Sequence, residues 1–445
     1  MQAATRSRLT LACILLTILL DMIGVGIIVP VLPELLEELT GGGVADAAVI
    51  GGYLVFAYAS MQFLFSPVLG NLSDRFGRRP VLLASLLGLT FDYLMMSIAP
   101  FVWYLFIGRI IAGIAGAALA TATAYMADIT PPHKRTHRFG LIGAAFGLGF
   151  IIGPVIGGEL GELGPRVPFY AAAGLAFANF LFGLLVLPES LPKANRRKFN
   201  IKRANPLGAV MALKRYPSVL WLLAVLFFLQ LATQALPTIF SYFTVEVFHF
   251  TSSTIGRTLG AFGIGFAFSQ AVLAGPLSKG IGEPAVGIVG LLFAATAFAG
   301  IAFSAEVYHL YLFIAVGTVS GLAPPAINGV LSRQVPDNSQ GELQGAVNAA
   351  SSLATIIGPL AATQIFSYYS AAESTHYFPG APFVACAAAV VVSLVIFGIA
   401  AWKFELSHRP SVADHPHVPD LPPPGQLRVA PIEDEDDHQT RNRGR

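Results

Sequence analysis

Charge is scarce in this chain. Only 12% of its 445 residues are Asp, Glu, Lys or Arg, about half the roughly 25% usual in soluble domains, which excludes a water-soluble globular fold. Cysteine is nearly absent. Cys13 and Cys386 both fall in apolar runs, so there is no disulfide framework and no thiolate metal site. Histidine is sparse as well. All nine stand at run ends, in loops or in the tail, and none forms an H-E-x-x-H pair, so an intramembrane enzyme lacks its catalytic set and neither metal nor cofactor is expected. A net charge of +2 offers nothing to a nucleic-acid partner.

What the chain has is apolar length. Twelve runs of about 20 residues, the length that crosses a hydrocarbon core of roughly 30 Å, stand near 9–33, 47–69, 81–99, 101–126, 140–160, 168–187, 218–240, 254–276, 285–304, 309–331, 344–368 and 381–402. The first follows Arg6 and Arg8 like a secretion signal but continues through Asp21, Pro30 and Pro33 without a cleavage pattern, so it is expected to remain as a span. Apart from Arg109 inside a span and Arg166 and Arg257 on the far side, every Lys and Arg falls on the side of the N-terminus. The positive-inside bias makes that side cytoplasmic and places both termini there.

The longest interior loop, 188–217, carries Lys193, Arg196, Arg197, Lys198, Lys202, Arg203, Lys214 and Arg215 and divides the chain into halves 1–187 and 218–402. The halves are related. Gly140, Ala144, Ala145, Leu148 and Ile151–Pro154 recur 205 positions later as Gly345, Ala349, Ala350, Leu353 and Ile356–Pro359. At the same offset Gly70, Leu72, Ser73 and Gly77 recur as Gly275, Leu277, Ser278 and Gly282. Six-helix repeats of this kind let one half rock against the other around a central site. Residues 403–445, with Glu433–Asp437 and loosely spaced His408, His415 and His417, read as a disordered cytoplasmic tail.

Ionisable residues inside spans are costly and mark function by default. Asp21 lies mid-span, where loss of water disfavours the charged carboxylate and makes proton exchange natural; a structural cap or a fixed ion pair is the competing reading. Arg109 needs an anion, a carbonyl or water, and Asp21 is a candidate counter-ion. Asp92 is the other deep carboxylate, either in the path or in a watery crevice. Between the second and third spans Asp74, Arg75 and Arg78, with Asp128 at the end of the fourth, form a candidate inner-gate charge network beside Gly70 and Gly77. The second copy carries Lys279 for Asp74 and Glu283 for Arg78, so a pair is expected there with its signs exchanged. Gly149, Gly153, Pro154, Gly157 and Gly158 mark either close helix packing or a hinge. Gln62, Gln230, Gln234 and Asn328 are candidates to line a substrate cavity or to tie helices together.

The runs D-M-I-G-V-G-I-I-V-P-V-L-P from Asp21, G-N-L-S-D-R-F-G-R-R-P from Gly70, G-R-I-I-A-G-I-A-G-A from Gly108 and G-L-G-F-I-I-G-P-V-I-G-G from Gly147 resemble the major facilitator superfamily. Within it, the chain resembles the bacterial tetracycline/proton antiporters of the twelve-helix drug:proton group. The resemblance covers 9–402 and implies an all-α membrane protein of two pseudo-symmetric six-helix halves in the bacterial inner membrane. It also implies a small-molecule substrate exchanged for protons, with Asp21 and Arg109 in coupling and Asp92 on the path. Gln62 would line the cavity, and Asp74, Arg78 and Asp128 would form the inner gate. The chain departs from those pumps in Ala294 and Ala295, where the ninth span carries an acid, and in Phe266, where the eighth often carries a histidine. A proton-driven exporter acting as a monomer is therefore expected; a nutrient symporter on the same fold is the alternative.

Overall fold

The computed structural model describes residues 2–116, 118–131, 134–197, 213, 216–336, 339–371 and 374–406. Most of the basic loop 188–217 and the tail beyond Leu406, including His408, His415 and His417, lie outside the described residues. Among those residues there is no strand, and twelve helices are long and apolar enough to cross a membrane. Helices satisfy every backbone polar group within one segment, which is why an apolar chain in lipid takes this form.

The first half contains α1 (Gln2–Ile28), α2 (Leu32–Thr40), α3 (Val44–Phe76), α4 (Arg78–Ile98), α5 (Val102–Gly116), α6 (Ala118–Ile129), α7 (Arg135–Gly161) and α8 (Val167–Val186). The second contains α9 (Pro217–Phe248), α10 (Ser252–Phe268), α11 (Ala274–Ile281), α12 (Glu283–Ala302), α13 (Val307–Thr318), α14 (Ala323–Ser332), α15 (Gln340–Ser370) and α16 (Ala381–Lys403). A π-helical turn at Ser269–Leu273 joins α10 to α11, and a 3₁₀ turn at Val319–Leu322 joins α13 to α14, so that each pair forms one span.

Several boundaries differ from the sequence reading: α3 runs on to Phe76 rather than 69, α9 to Phe248 rather than 240, and the first span is shorter than 9–33. The first span stops at Ile28, and a turn precedes the separate helix α2. Pro33, fixed in φ and lacking an N–H, belongs at the start of α2 rather than inside α1. Gly41, at φ +66°, ends α2 in the left-handed conformation that glycine adopts without a Cβ clash.

The repeat appears in backbone detail. Gly77 (φ 109°, ψ 161°) and Gly282 (φ 86°, ψ 151°) sit between consecutive helices at equivalent places. Their N–H groups donate to Ser73 O and Ser278 O, both at 3.1 Å. Pro154 and Pro359, also 205 positions apart, both lie inside long helices.

Candidate functional site

Asp92 on α4 is fully buried and Arg109 on α5 nearly so. Arg109 Nε donates to Asp92 Oδ1 at 3.2 Å, and a terminal guanidinium nitrogen donates to Oδ2. Gly108 makes the approach possible, since an added Cβ there would stand 2.8 Å from Asp92 Oδ1. A guanidinium presents two parallel donors to a carboxylate, so the pair satisfies both charges away from water. The suggested pairing of Arg109 with Asp21 does not form. The α4–α5 hairpin brings Asp92 to the same depth as Arg109, while Asp21 projects from α1.

Asp21 is half-buried, and among the described residues it has neither a hydrogen bond nor an ion pair. Two tyrosines lie close to the Arg109–Asp92 pair and to α1. The ring of Tyr58 on α3 lies 5.7 Å from Arg109 Cζ, within cation–π range. Tyr93, next to Asp92 on α4, packs its hydroxyl on Gly24, three residues beyond Asp21. Neither tyrosine was singled out from sequence; Tyr93 follows Asp92 directly in the chain, but its approach to α1 is tertiary.

Gln62 donates to Gly116 O at 3.2 Å and to the Tyr58 hydroxyl at 3.3 Å, joining α3 to α5. In the second half Gln230 donates to Ser351 Oγ at 3.4 Å and Gln234 to Thr355 Oγ1 at 2.6 Å, two rungs of one ladder between α9 and α15. Asn328 is exposed and donates to Pro324 O of its own helix at 2.9 Å. Three of these four side chains therefore tie helices together within a half.

The five glycine-proline residues of α7 divide between two partners. Gly149, Gly153 and Gly157, one turn apart, face α1: an added Cβ would stand 2.6 Å from Met22 Cβ, 2.7 Å from Ile23 O and 2.7 Å from Ile27 Cα respectively. Pro154 touches Gly26, and its carbonyl lies against Gly256 of α10. Gly158 rests on the backbone of Ser252 and Ser253. This stretch is the contact between the halves on one side of the molecule; Gly51 and Gly52 of α3, against Tyr242 of α9 and Thr363 of α15, form another.

At the end carrying Gly70–Pro80, Arg78 pairs with Asp74 at 2.6 Å and its Nε with Asp128 at 3.3 Å. Ser73 accepts from Arg78 at 2.6 Å, Ser190 donates to Asp128 at 3.0 Å, and Glu189 accepts from Arg78 N at 2.8 Å. Arg75 stays outside this network, exposed and lying 5.0 Å over the Phe76 ring. In the second copy Glu283 pairs with Arg333 rather than with Lys279. The two bridges are repeat-related: Arg78 and Asp128 lie 205 positions before Glu283 and Arg333.

The opposite end holds contacts that sequence reasoning missed. Ser241 Oγ donates to Val29 O at 2.9 Å and Ser252 Oγ to Pro30 O at 3.1 Å. Glu162 accepts from Ser253 N at 3.0 Å, at the positive N-terminal end of α10, and Glu159 accepts from Ser253 Oγ at 2.9 Å. Arg257 binds both oxygens of Glu159, at 2.6 and 3.1 Å. All six contacts cross between the halves. Nearer the Gly70–Pro80 end, Gly140, Gly143 and Gly147 of α7 and Gly275 and Gly280 of the facing span have open space where a Cβ would stand. The side-chain bonds between the halves described above thus all lie at the end opposite Gly70–Pro80.

Comparison with known proteins follows the same outline. The profile described as Major Facilitator Superfamily matches residues 14–359 and again 222–430. The chain is 41% identical to the class C tetracycline resistance protein of Escherichia coli over 398 residues, 89% of this chain and 98% of that one. It is 30% identical to Multidrug resistance protein 1 of Bacillus subtilis (strain 168), covering 81% of this chain and 90% of the relative. A bacterial homolog of the human lysosomal transporter Spinster, solved in an inward-facing, unoccupied conformation, superposes with a TM-score of 0.74 at 14% identity, over 91% of this chain and 99% of that one.

Proposed function

The chain belongs to the Major Facilitator Superfamily, and on that footing we propose that it is a proton-coupled antiporter exporting a small-molecule drug, tetracycline-like or multidrug, from the cytoplasm. It is a multi-pass protein of the bacterial inner membrane and not an enzyme. The observation that carries the reading is Asp21: a half-buried acid without a cation, on a helix packed against the α7–α10 contact between the halves. Such an acid is free to exchange its proton, whereas Asp92 is paired with Arg109.

The mechanism follows from two openings. Residues 1–187 and 218–402 act as the rocking halves, with 188–217 between them and 403–445 as a cytoplasmic tail. With the Gly70–Pro80 end open and cytoplasmic, as the Lys and Arg distribution supports, drug binds while Asp21 is charged. The halves then part at the other end, and a proton from the more acidic side neutralises Asp21 and favours drug release. One site serves two ligands in turn, and its occupancy biases which state is populated. Arg109 and Asp92 hold the neighbouring charge fixed, Gln62, Gln230, Gln234 and Asn328 border the cavity, and Arg78 with Asp74 and Asp128 steadies the inner end. The unit acting is a monomer, and nucleic acid is no partner.

The experiment is drug accumulation in everted membrane vesicles. Acidifying the vesicle interior should drive a susceptible drug inward and a protonophore should abolish it; loss of drug from pre-loaded vesicles on acidification would indicate a symporter instead.

A further inference from the structure

At the outer end, opposite Gly70–Pro80, the halves meet along two seams, α7 against α10 and α3 against α15. The 205-residue repeat relates them. Gly153, Pro154 and Gly158 of α7 recur as Gly358, Pro359 and Thr363 of α15, and Gly256 of α10 corresponds to Gly51 of α3. Both seams are packed closely: Gly256 lies against Pro154 O in one, and Gly52 against Thr363 Oγ1 in the other.

Their bonding differs. In the α7–α10 seam Glu159 gathers three donors from the other half, Arg257 Nε at 2.6 Å, a terminal nitrogen of the same guanidinium at 3.1 Å and Ser253 Oγ at 2.9 Å. Three residues on, Glu162 accepts from Ser253 N at 3.0 Å, at the positive end of α10. At the repeat offset these positions hold Gln364, Ser367, Gly52 and Ala48. Glycine has no side chain to offer and alanine no hydroxyl, so the α3–α15 seam cannot build the same contacts. Gln364 Nε2, at the place of Glu159, has no hydrogen-bond partner among the described residues.

We propose that Glu159, Glu162, Ser253 and Arg257 form a one-sided ionic clasp that sets how firmly the outer end is shut, and that each outward opening begins with its release. The inference deepens the antiport mechanism and rests on its two alternating openings. Parting α7 from α10 takes the guanidinium and the helix end away from both carboxylates at once. Isolated exposed ion pairs contribute little to stability, but a bidentate arginine–carboxylate pair that shares its acceptor with a hydroxyl is among the exceptions. The side chains of Arg257 and Glu159 are 69% and 44% exposed, so water replaces the lost bonds and release strands no buried charge. A contact of this kind works as a catch rather than a permanent tie. The α3–α15 seam loses only packing when the halves part.

The test reads opening at the seam that lacks the clasp. Thr363 is fully buried against Gly52, so Thr363→Cys reacts with a maleimide only when the halves part. The reporter is placed in full-length protein with Cys13→Ala and Cys386→Ala, in lipid nanodiscs without drug or pH gradient. Alkylation should be at least threefold faster in Glu159→Arg and in Arg257→Glu, and should return towards the unsubstituted rate in Glu159→Arg/Arg257→Glu. Should a charge reversal fail to fold, Glu159→Gln and Arg257→Gln replace it; each should speed labelling, and the two together no more than either alone. Labelling at the unsubstituted rate in either single variant, or a swapped pair that labels as fast as the faster single, overturns the proposal. The readout needs neither a substrate nor Asp21, so failure of proton-coupled export is distinguishable from failure of the clasp.

Discussion

Arg109 grips both oxygens of Asp92 across the α4–α5 hairpin and leaves Asp21 on α1 without a cation. Asp92, fully buried, and Asp21, half-buried, are thereby separated in role. One is neutralised by a partner that cannot lose its proton; the other is free to change its charge.

Removing Asp92 should therefore do more harm than removing its charge partner. Asp92→Asn strands a buried guanidinium that cannot lose its proton, a loss of roughly 3–5 kcal/mol for pairs of this kind, and drug resistance should fall at least tenfold with lowered thermal stability. Arg109→Gln leaves a carboxyl that can take up a proton and should retain more folded protein. Equal melting temperatures for the two variants, by fluorescence-detected size exclusion, would contradict the assignment.

The inner-end bridges should behave as self-contained pairs. Arg78→Asp should cut resistance severalfold and Arg78→Asp/Asp128→Arg should recover a substantial part of it. The same holds for Glu283→Arg against Glu283→Arg/Arg333→Glu. Resistance in cells expressing equal protein is the measurement, and absence of any recovery in both double variants would show that the charges act on something other than each other.

Glycines on α7 should differ sharply along one helix. Gly157→Ala places a methyl against the backbone of Ile27 and must push α1 and α7 apart, whereas Gly143→Ala meets open space. Thermal stability should drop by several degrees for the first and stay within a degree or two for the second in the state described.

Much of this was legible before the structure. Run length and charge scarcity specified twelve spans, and the 205-residue offset specified two related halves down to Gly77 and Gly282. The Asp92–Arg109 pair was not read from the sequence, although Asp92 stands eight residues before Pro100 and Arg109 eight after Phe101, so a short hairpin puts them level. The reading favoured Asp21 because depth alone does not say which helices are neighbours. Glu283 was matched to Lys279 by spacing, yet the counterpart of Asp128 at the repeat offset is Arg333, and that position decides the pair. The outer closure was least legible. Its serines donate to carbonyls and its carboxylates accept from a helix end, contacts that depend on backbone positions in another half and leave no spacing to read.

The central claim is that proton exchange at Asp21 drives export, and counterflow in proteoliposomes separates exchange from coupling. Asp21→Asn, reconstituted at wild-type yield, should lose drug uptake driven by an imposed pH gradient by at least tenfold while remaining folded. Gradient-driven uptake by Asp21→Asn at the wild-type rate, sensitive to protonophore, would contradict the account.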